Sequence, residues 1–271
     1  MKGSDIMGGK WNDPISACAV QPRLHLGDVD RNLHGALDLV KRASESGSVD
    51  LFVLPEVFTT GFPYKDLPRL SERSDEVIGV LSDAARDLGS HLMFTQVVED
   101  NGSFFNRCFV IGAKGETLLE YDKTHLFSRA DEHLFFTAGS DHTSFEIKGA
   151  RISPLICYEL RFPELSRRNV VDGSHILIYM GQWPMFRIFQ WDALLLARAI
   201  ENQCYVIASG AYGPHGRENM GGHSQIISPF GNMIGDIVEK EGFTSAVMDP
   251  EEMKKFRERI PVLVERRPDL Y

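Results

Sequence analysis

Three polar residues stand just beyond runs that read as buried strands. Glu56 follows the apolar run 51–54 and Pro55, Lys123 follows 117–122, and Cys157 follows 152–156. Loops just past strand ends are where sheet proteins hold reactive groups. A thiol with a pKa of about 8.5 is mostly protonated at neutral pH. A carboxylate whose own pKa has been lifted by burial can take that proton. An ammonium group steadies the thiolate and the oxyanion that its attack creates. A carboxylate, an ammonium and a thiol therefore suffice for nucleophilic cleavage of an acyl bond.

Taken singly, each residue also has an ordinary structural reading. A cysteine is commonly a small buried hydrophobe. Glu56 could cap a helix, Lys123 could be a solvated lysine, and Glu132 lies in a polar run. Arg161 reads either as a bidentate carboxylate binder or as a structural arginine paired with Glu159 or Glu164. Phe62, Phe127 and Trp183 lie beside these segments and read either as walls of an apolar substrate pocket or as core.

In this order, the three segments resemble the nitrilase superfamily of carbon–nitrogen hydrolases and its Glu-Lys-Cys triad. Glu56 and Lys123 are 67 residues apart, and Lys123 and Cys157 are 34 apart. The segments PEVFTTGF (55–62), YDKTHLF (121–127), ADEHLFFTAG (130–139), CYELRFPELSR (157–167), ARAIENQCYV (197–206) and IPVLVERRPDLY (260–271) look like the omega-amidase branch. The resemblance implies an α/β fold, a four-layer αββα sandwich, paired into a homodimer through a helical face. It implies Glu56 as general base, Lys123 as oxyanion binder and Cys157 as nucleophile. It further implies Glu132 as a second glutamate that positions substrate and assists proton transfer, and the backbone N–H of Tyr158 as the other oxyanion donor. The implied reaction releases ammonia from a small carboxylate-bearing amide through a thioester, with 2-oxoglutaramate or 2-oxosuccinamate as examples. An N-carbamoyl amide hydrolase or a nitrilase would use the same triad, although nitrilases commonly place Trp-Glu after the cysteine and this chain has Tyr158-Glu159. A scaffolding protein on this fold would be expected to have a damaged triad. A redox-sensing thiol needs a resolving cysteine, and none lies nearby in sequence.

The elements that must position these residues alternate between strands and helices. Strands are expected at 15–20, 51–54, 91–98, 104–112, 117–122, 152–156, 175–180, 204–209, 223–229, 232–238 and 243–248. Asn101-Gly102 reads as a hairpin turn. Pro154 implies an edge or a bulge in its strand. Helical spacing of apolar residues predicts helices over about 30–45, over 78–88 ending at Gly89, over 185–202 after Pro184, and over 250–259. Residues 1–13 read as a flexible leader and 14–271 as a single domain.

The chain has 271 residues, 43% hydrophobic, enough for a sizeable core. A net charge of −9 disfavours nucleic acid as a partner. No apolar run is long enough to span a bilayer, and the N-terminus lacks the apolar core of a secretion signal. Cys18, Cys108, Cys157 and Cys204 include no C-x-x-C pair, which fits free thiols and a cytoplasmic location. Nine histidines show no metal-ligand spacing, and there is no P-loop, G-x-G-x-x-G or G-x-S-x-G segment. Neither a metal nor a cofactor is expected; the expected partner is a small-molecule amide.

Overall fold

The computed structural model describes residues 11–216 and 218–270. Along the chain the elements are β1 (Ile15–Gln21), α1 (Val29–Glu45), β2 (Leu51–Val53), α2 (Leu67–Ser71), α3 (Ser74–Leu88), β3 (His91–Asp100), β4 (Ser103–Ile111), β5 (Thr117–Asp122), β6 (Phe145–Ile147), β7 (Ala150–Ile156), α4 (Pro163–Val171), β8 (Ile176–Gly181), α5 (Ile188–Asn202), β9 (Tyr205–Gly210), β10 (Tyr212–His215), β11 (Glu218–Gly221), β12 (Gln225–Ile227), β13 (Gly242–Met248) and α6 (Pro250–Arg259).

Two sheets stack face to face. One has the order β13-β1-β2-β3-β4-β5 and the other β12-β9-β8-β7-β6, with β10 and β11 forming a separate hairpin. Strand periodicity explains the layering, because successive side chains point to opposite faces. In β1, Ile15, Ala17 and Ala19 enter the core between the sheets, whereas Cys18 and Val20 face helices. In β8, Ile176, Ile178 and Met180 face inward, and Leu177 and Tyr179 face outward. Leu33, Leu39 and Val40 of α1, with Val77 and Leu81 of α3, cover the outer face of the first sheet. Val170 of α4, with Trp191, Leu195 and Ala199 of α5, covers that of the second. The result is the α-β-β-α layering expected from the sequence.

Local signals account for several boundaries. The Asp28 side chain accepts from the Arg31 N–H and caps α1. Gly89 ends α3 in the left-handed conformation. Pro154 sits in β7 beyond the end of β6, whose pairing stops at Ile152. At Pro154 the strand is bonded only to β8. The missing N–H therefore faces a locally open edge, and no bulge is needed.

Four expectations change. The segment 232–238 makes only isolated bridges, Ile227 to Met233 and Ser224 to Val238, which do not share one antiparallel register. Glycines at 231 and 235 weaken strand propensity there. The helix expected from 185 begins at Ile188, because Met185–Arg187 is a 3-10 turn and Arg187, at φ −117°, is not helical. The β10–β11 hairpin was not anticipated. Most of the expected leader, residues 1–10, lies outside the described residues. Trp11, also assigned to it, is buried and packs on His175 and Tyr205 at ring distances of 5.6 and 5.8 Å. The packed body therefore includes residue 11.

Candidate active site

Because β1, β2 and β3 are parallel and β5 runs in the same sense as β3, Glu56 and Lys123 emerge at one end of the first sheet. Cys157 and Gln182 emerge at the matching ends of the parallel strands β7 and β8. Stacking the sheets brings the four loops together. The backbone turns sharply past two of these strand ends: Val57 has φ +35° and Cys157 has φ +47°, in the region that L-residues rarely adopt. The Val57 N–H donates to Oγ1 of Thr95 at 2.7 Å, and the Thr59 hydroxyl donates to Gln96, which anchors the Glu56 loop to β3.

The charged centre is dry. Glu56, Lys123 and Glu132 are each at most 1% exposed. Lys123 Nζ donates to Glu56 Oε1 at 2.7 Å and to both oxygens of Glu132 at 2.8 and 2.9 Å. Asn106 Nδ2 donates to the same Glu56 oxygen at 2.9 Å. The other, Oε2, has no conventional hydrogen-bond donor, and the Cys157 thiol interacts with this carboxylate. Glu132 is held by the Phe127 N–H at 2.6 Å. One cation between two carboxylates satisfies the requirement that buried charge be paired.

Burial raises the Glu56 carboxyl above its usual value, opposed by the Lys123 charge and reinforced by Glu132. Burial disfavours the Lys123 ammonium, but the carboxylates of Glu56 and Glu132 outweigh it and hold the proton on. Burial and the Glu56 charge push the Cys157 thiol up, with Lys123 opposing. The thiol is therefore protonated at rest, beside a carboxylate of raised basicity.

The Lys123 and Cys157 loops are fastened together by Glu159. Fully buried, it accepts from Ile156 N–H at 2.6 Å, and from Tyr121 O–H, Thr124 N–H and the Thr124 hydroxyl, each at 2.7 Å. Gln182 Nε2 donates to the Glu56 carbonyl at 2.7 Å, and Cys157 Sγ lies 3.9 Å from the Gln182 carbonyl.

A cavity of about 650 Å³ opens onto this centre, and Glu56, Lys123, Glu132 and Cys157 all line it. Phe62 and Phe127 are in its wall, and the Phe62 ring lies 5.9 Å from Lys123 Nζ. Trp183 lines a small adjoining slot together with Tyr158 and Arg161. Arg161 pairs with neither Glu159 nor Glu164; it stacks on Trp183 and donates to Gln190. His125 is hydrogen-bonded to Thr124 and tilted against Phe162. Sequence reasoning did not single out Asn106, Tyr64, Gln182, Arg187 or His215. Burial depresses the pKa of His215, which accepts from the Phe62 N–H at 3.4 Å. Gly61 admits that ring, since a Cβ there would meet it at 2.3 Å. Among the described residues no cluster of His, Cys, Asp and Glu is arranged to hold a metal ion.

The carbon–nitrogen hydrolase family model matches residues 16–258. The chain is 39% identical to the 2-oxoglutaramate amidase of Bacillus subtilis (strain 168) over 232 residues, covering 84% of this chain and 88% of that one. It is 35% identical to omega-amidase YafV of Escherichia coli (strain K12) over 214 residues, covering 78% and 82%. Its fold superposes on the crystal structure of the C. elegans NitFhit protein with a TM-score of 0.89 and 28% identity, covering 96% of this chain and about two-thirds (66%) of that longer one. A dry carboxylate–ammonium–carboxylate cluster beside a thiol, on this sandwich and with these relatives, places the chain in the carbon–nitrogen hydrolase family, in the omega-amidase branch of the nitrilase superfamily, as a hydrolase of carbon–nitrogen bonds other than peptide bonds.

Proposed function

We propose that this protein is an omega-amidase that releases ammonia from 2-oxoglutaramate, 2-oxosuccinamate or a close relative, with Cys157 as nucleophile. The observation that carries the reading is a buried Glu56 carboxylate that holds Lys123 on Oε1, keeps Oε2 free of hydrogen-bond donors, and lines the same cavity as the Cys157 thiol.

The mechanism follows from that geometry. Since the resting thiol is protonated, Glu56 removes its proton as sulfur attacks the amide carbon. Lys123 Nζ and the Tyr158 backbone N–H take the developing oxyanion. The C–N bond breaks, and the proton returned by Glu56, with Glu132 assisting, leaves with ammonia. Water deprotonated by Glu56 then attacks the thioester carbon, releasing the carboxylic acid and restoring the thiol. Glu132 keeps Lys123 in place and charged throughout.

Homodimer formation belongs to the same proposal. It is supported by Phe189 and Ile200, which are exposed and lie eleven residues apart on one face of α5. A cytoplasmic location is supported by four free cysteines. The deciding assay is ammonia release from 2-oxoglutaramate, 2-oxosuccinamate, glutamine, an N-carbamoyl amine and a simple nitrile. Turnover of the keto-acid amides is expected to dominate; activity on the nitrile alone overturns the reading.

A further inference from the structure

The slot beside Cys157 is lined by two guanidinium groups, Arg161 and Arg187, that have no acidic partner among the described residues. Arg161 lies over the Trp183 ring at 4.6 Å and donates from Nη2 to the Gln190 side-chain carbonyl at 2.7 Å. Arg187 lies over Phe127 at 5.3 Å and Phe186 at 4.9 Å, and its Nε is buried without a hydrogen-bond partner. The two cations line the same slot, and after burial the charge of Arg187 is the main influence disfavouring protonated Arg161. Two like charges in an apolar wall are unfavourable unless an anion joins them.

Position distinguishes the two. Together with Phe127, Cys157, Tyr158, Gln182, Trp183 and Pro184 they close a slot of about 30 Å³. That is room for roughly two water-sized groups, which matches the two oxygens of a carboxylate. Arg187 also lines the large cavity that contains Glu56, Lys123 and Glu132, whereas Arg161 does not. Arg161 has spent one Nη on Gln190, while the buried Nε edge of Arg187 is uncommitted. A guanidinium edge presents two parallel donors to a carboxylate.

We propose that Arg187 is the specificity-determining residue of this enzyme: it anchors the distal carboxylate of the substrate in the slot it shares with Arg161, while the amide carbon meets Cys157. Arg161 is the supporting wall, fixed by Trp183 and Gln190. The carboxylate supplies the missing counter-ion, and an uncharged amide of the same shape leaves the pair unneutralised. This rests on the amidase reading above and names the group that selects its substrate.

The test compares succinamate with its uncharged isostere succinamide, measuring ammonia release by the full chain and by Arg187→Gln, Arg187→Lys and Arg161→Gln. The unaltered enzyme is expected to prefer succinamate. Arg187→Gln is expected to lower kcat/KM for succinamate by about 10- to 100-fold, mainly through KM, the usual effect of losing a charge-assisted hydrogen bond. It should affect succinamide far less, so that the preference collapses; a merely structural role would lower both rates together. Arg187→Lys keeps the charge but loses the fork and should fall between. If Arg187→Gln does not fold, Arg187→Lys decides, and an undiminished preference in it overturns the assignment. A preference retained in Arg187→Gln, or lost only in Arg161→Gln, also overturns it. An unaltered enzyme that hydrolyses neither amide refutes the amidase reading itself, and the anchor falls with it.

Discussion

Glu159 grips Thr124 twice, accepting from its backbone N–H and from its hydroxyl at 2.7 Å each. The two residues are 35 apart in sequence, one beside Lys123 and the other two residues past Cys157. This contact sets the spacing between ammonium and thiol. Glu159→Gln replaces one accepting oxygen with an amide that opposes existing donors. We expect a stability loss of about 1–3 kcal/mol in urea unfolding. We also expect kcat to fall at least roughly tenfold in protein that remains folded, as small misplacements at a reacting centre are costly. Unchanged kcat in a folded Glu159→Gln protein would refute the positioning role.

The raised pKa of Glu56 has a consequence for stability as well as rate. The folded protein retains that proton at pH values where the unfolded chain has released it. Such a group stabilises fully below its unfolded pKa, about 4.3, and the contribution is lost as pH rises through the folded value. Lys123, also raised, contributes fully below its unfolded pKa of about 10.4, so it does not change across that window. Glu56→Gln should therefore gain stability relative to the unaltered protein as pH increases from about 4 toward neutrality. Turnover should fall by about 10²- to 10⁴-fold, the range for losing a general base. Thermal melting of both proteins across pH checks this; a gap moving the other way contradicts it.

Lys123→Ala would leave Glu56 and Glu132 facing each other without a cation. Removing one partner of a buried ion cluster typically costs about 3–5 kcal/mol. The cost should shrink at acid pH, because a carboxyl can then take up a proton. Activity should drop by at least about 10²- to 10³-fold from the lost oxyanion contact alone. Denaturant midpoints at two pH values, read beside ammonia release, test both halves.

Cys157 sits at φ +47° on the sharp turn between β7 and the following 3-10 turn. A side chain with a Cβ pays roughly 1–2 kcal/mol for this conformation and glycine does not. Both Cys157→Ala and Cys157→Gly should be inactive. Glycine should be at least as stable as alanine here, the reverse of the order found at ordinary buried sites. Paired melting curves of the two variants give the answer.

Much of the framework was legible in the sequence. Strands and helices carry their own periodicity, so β1, β5, α1 and α3 could be placed from apolar spacing and from turn residues such as Gly89 and Asn101-Gly102. Segment 232–238 misled because its apolar pairs Met233-Ile234 and Ile237-Val238 read as strand, while Gly235 and the lack of a continuous partner prevent a ladder. Trp11 was hidden in a polar, glycine-containing stretch, and only the His175 and Tyr205 rings show why it is buried. The positions of Glu56, Lys123 and Cys157 past strand ends came from the apolar runs before them, and Glu132, which lies in a 3-10 turn, came from motif resemblance. The sequence by itself determined the mixed strands and helices and the place of Glu56, Lys123 and Cys157 past strand ends, because these depend on local periodicity, and its short motifs carried the family resemblance that implies the four-layer sandwich. Only the tertiary structure decided that Lys123 bridges two carboxylates, that Glu159 pairs with Thr124 instead of Arg161, and that Arg187 shares the slot beside the thiol. Those are contacts between loops remote in sequence, and their distances arise from how two sheets stack, which no single segment encodes.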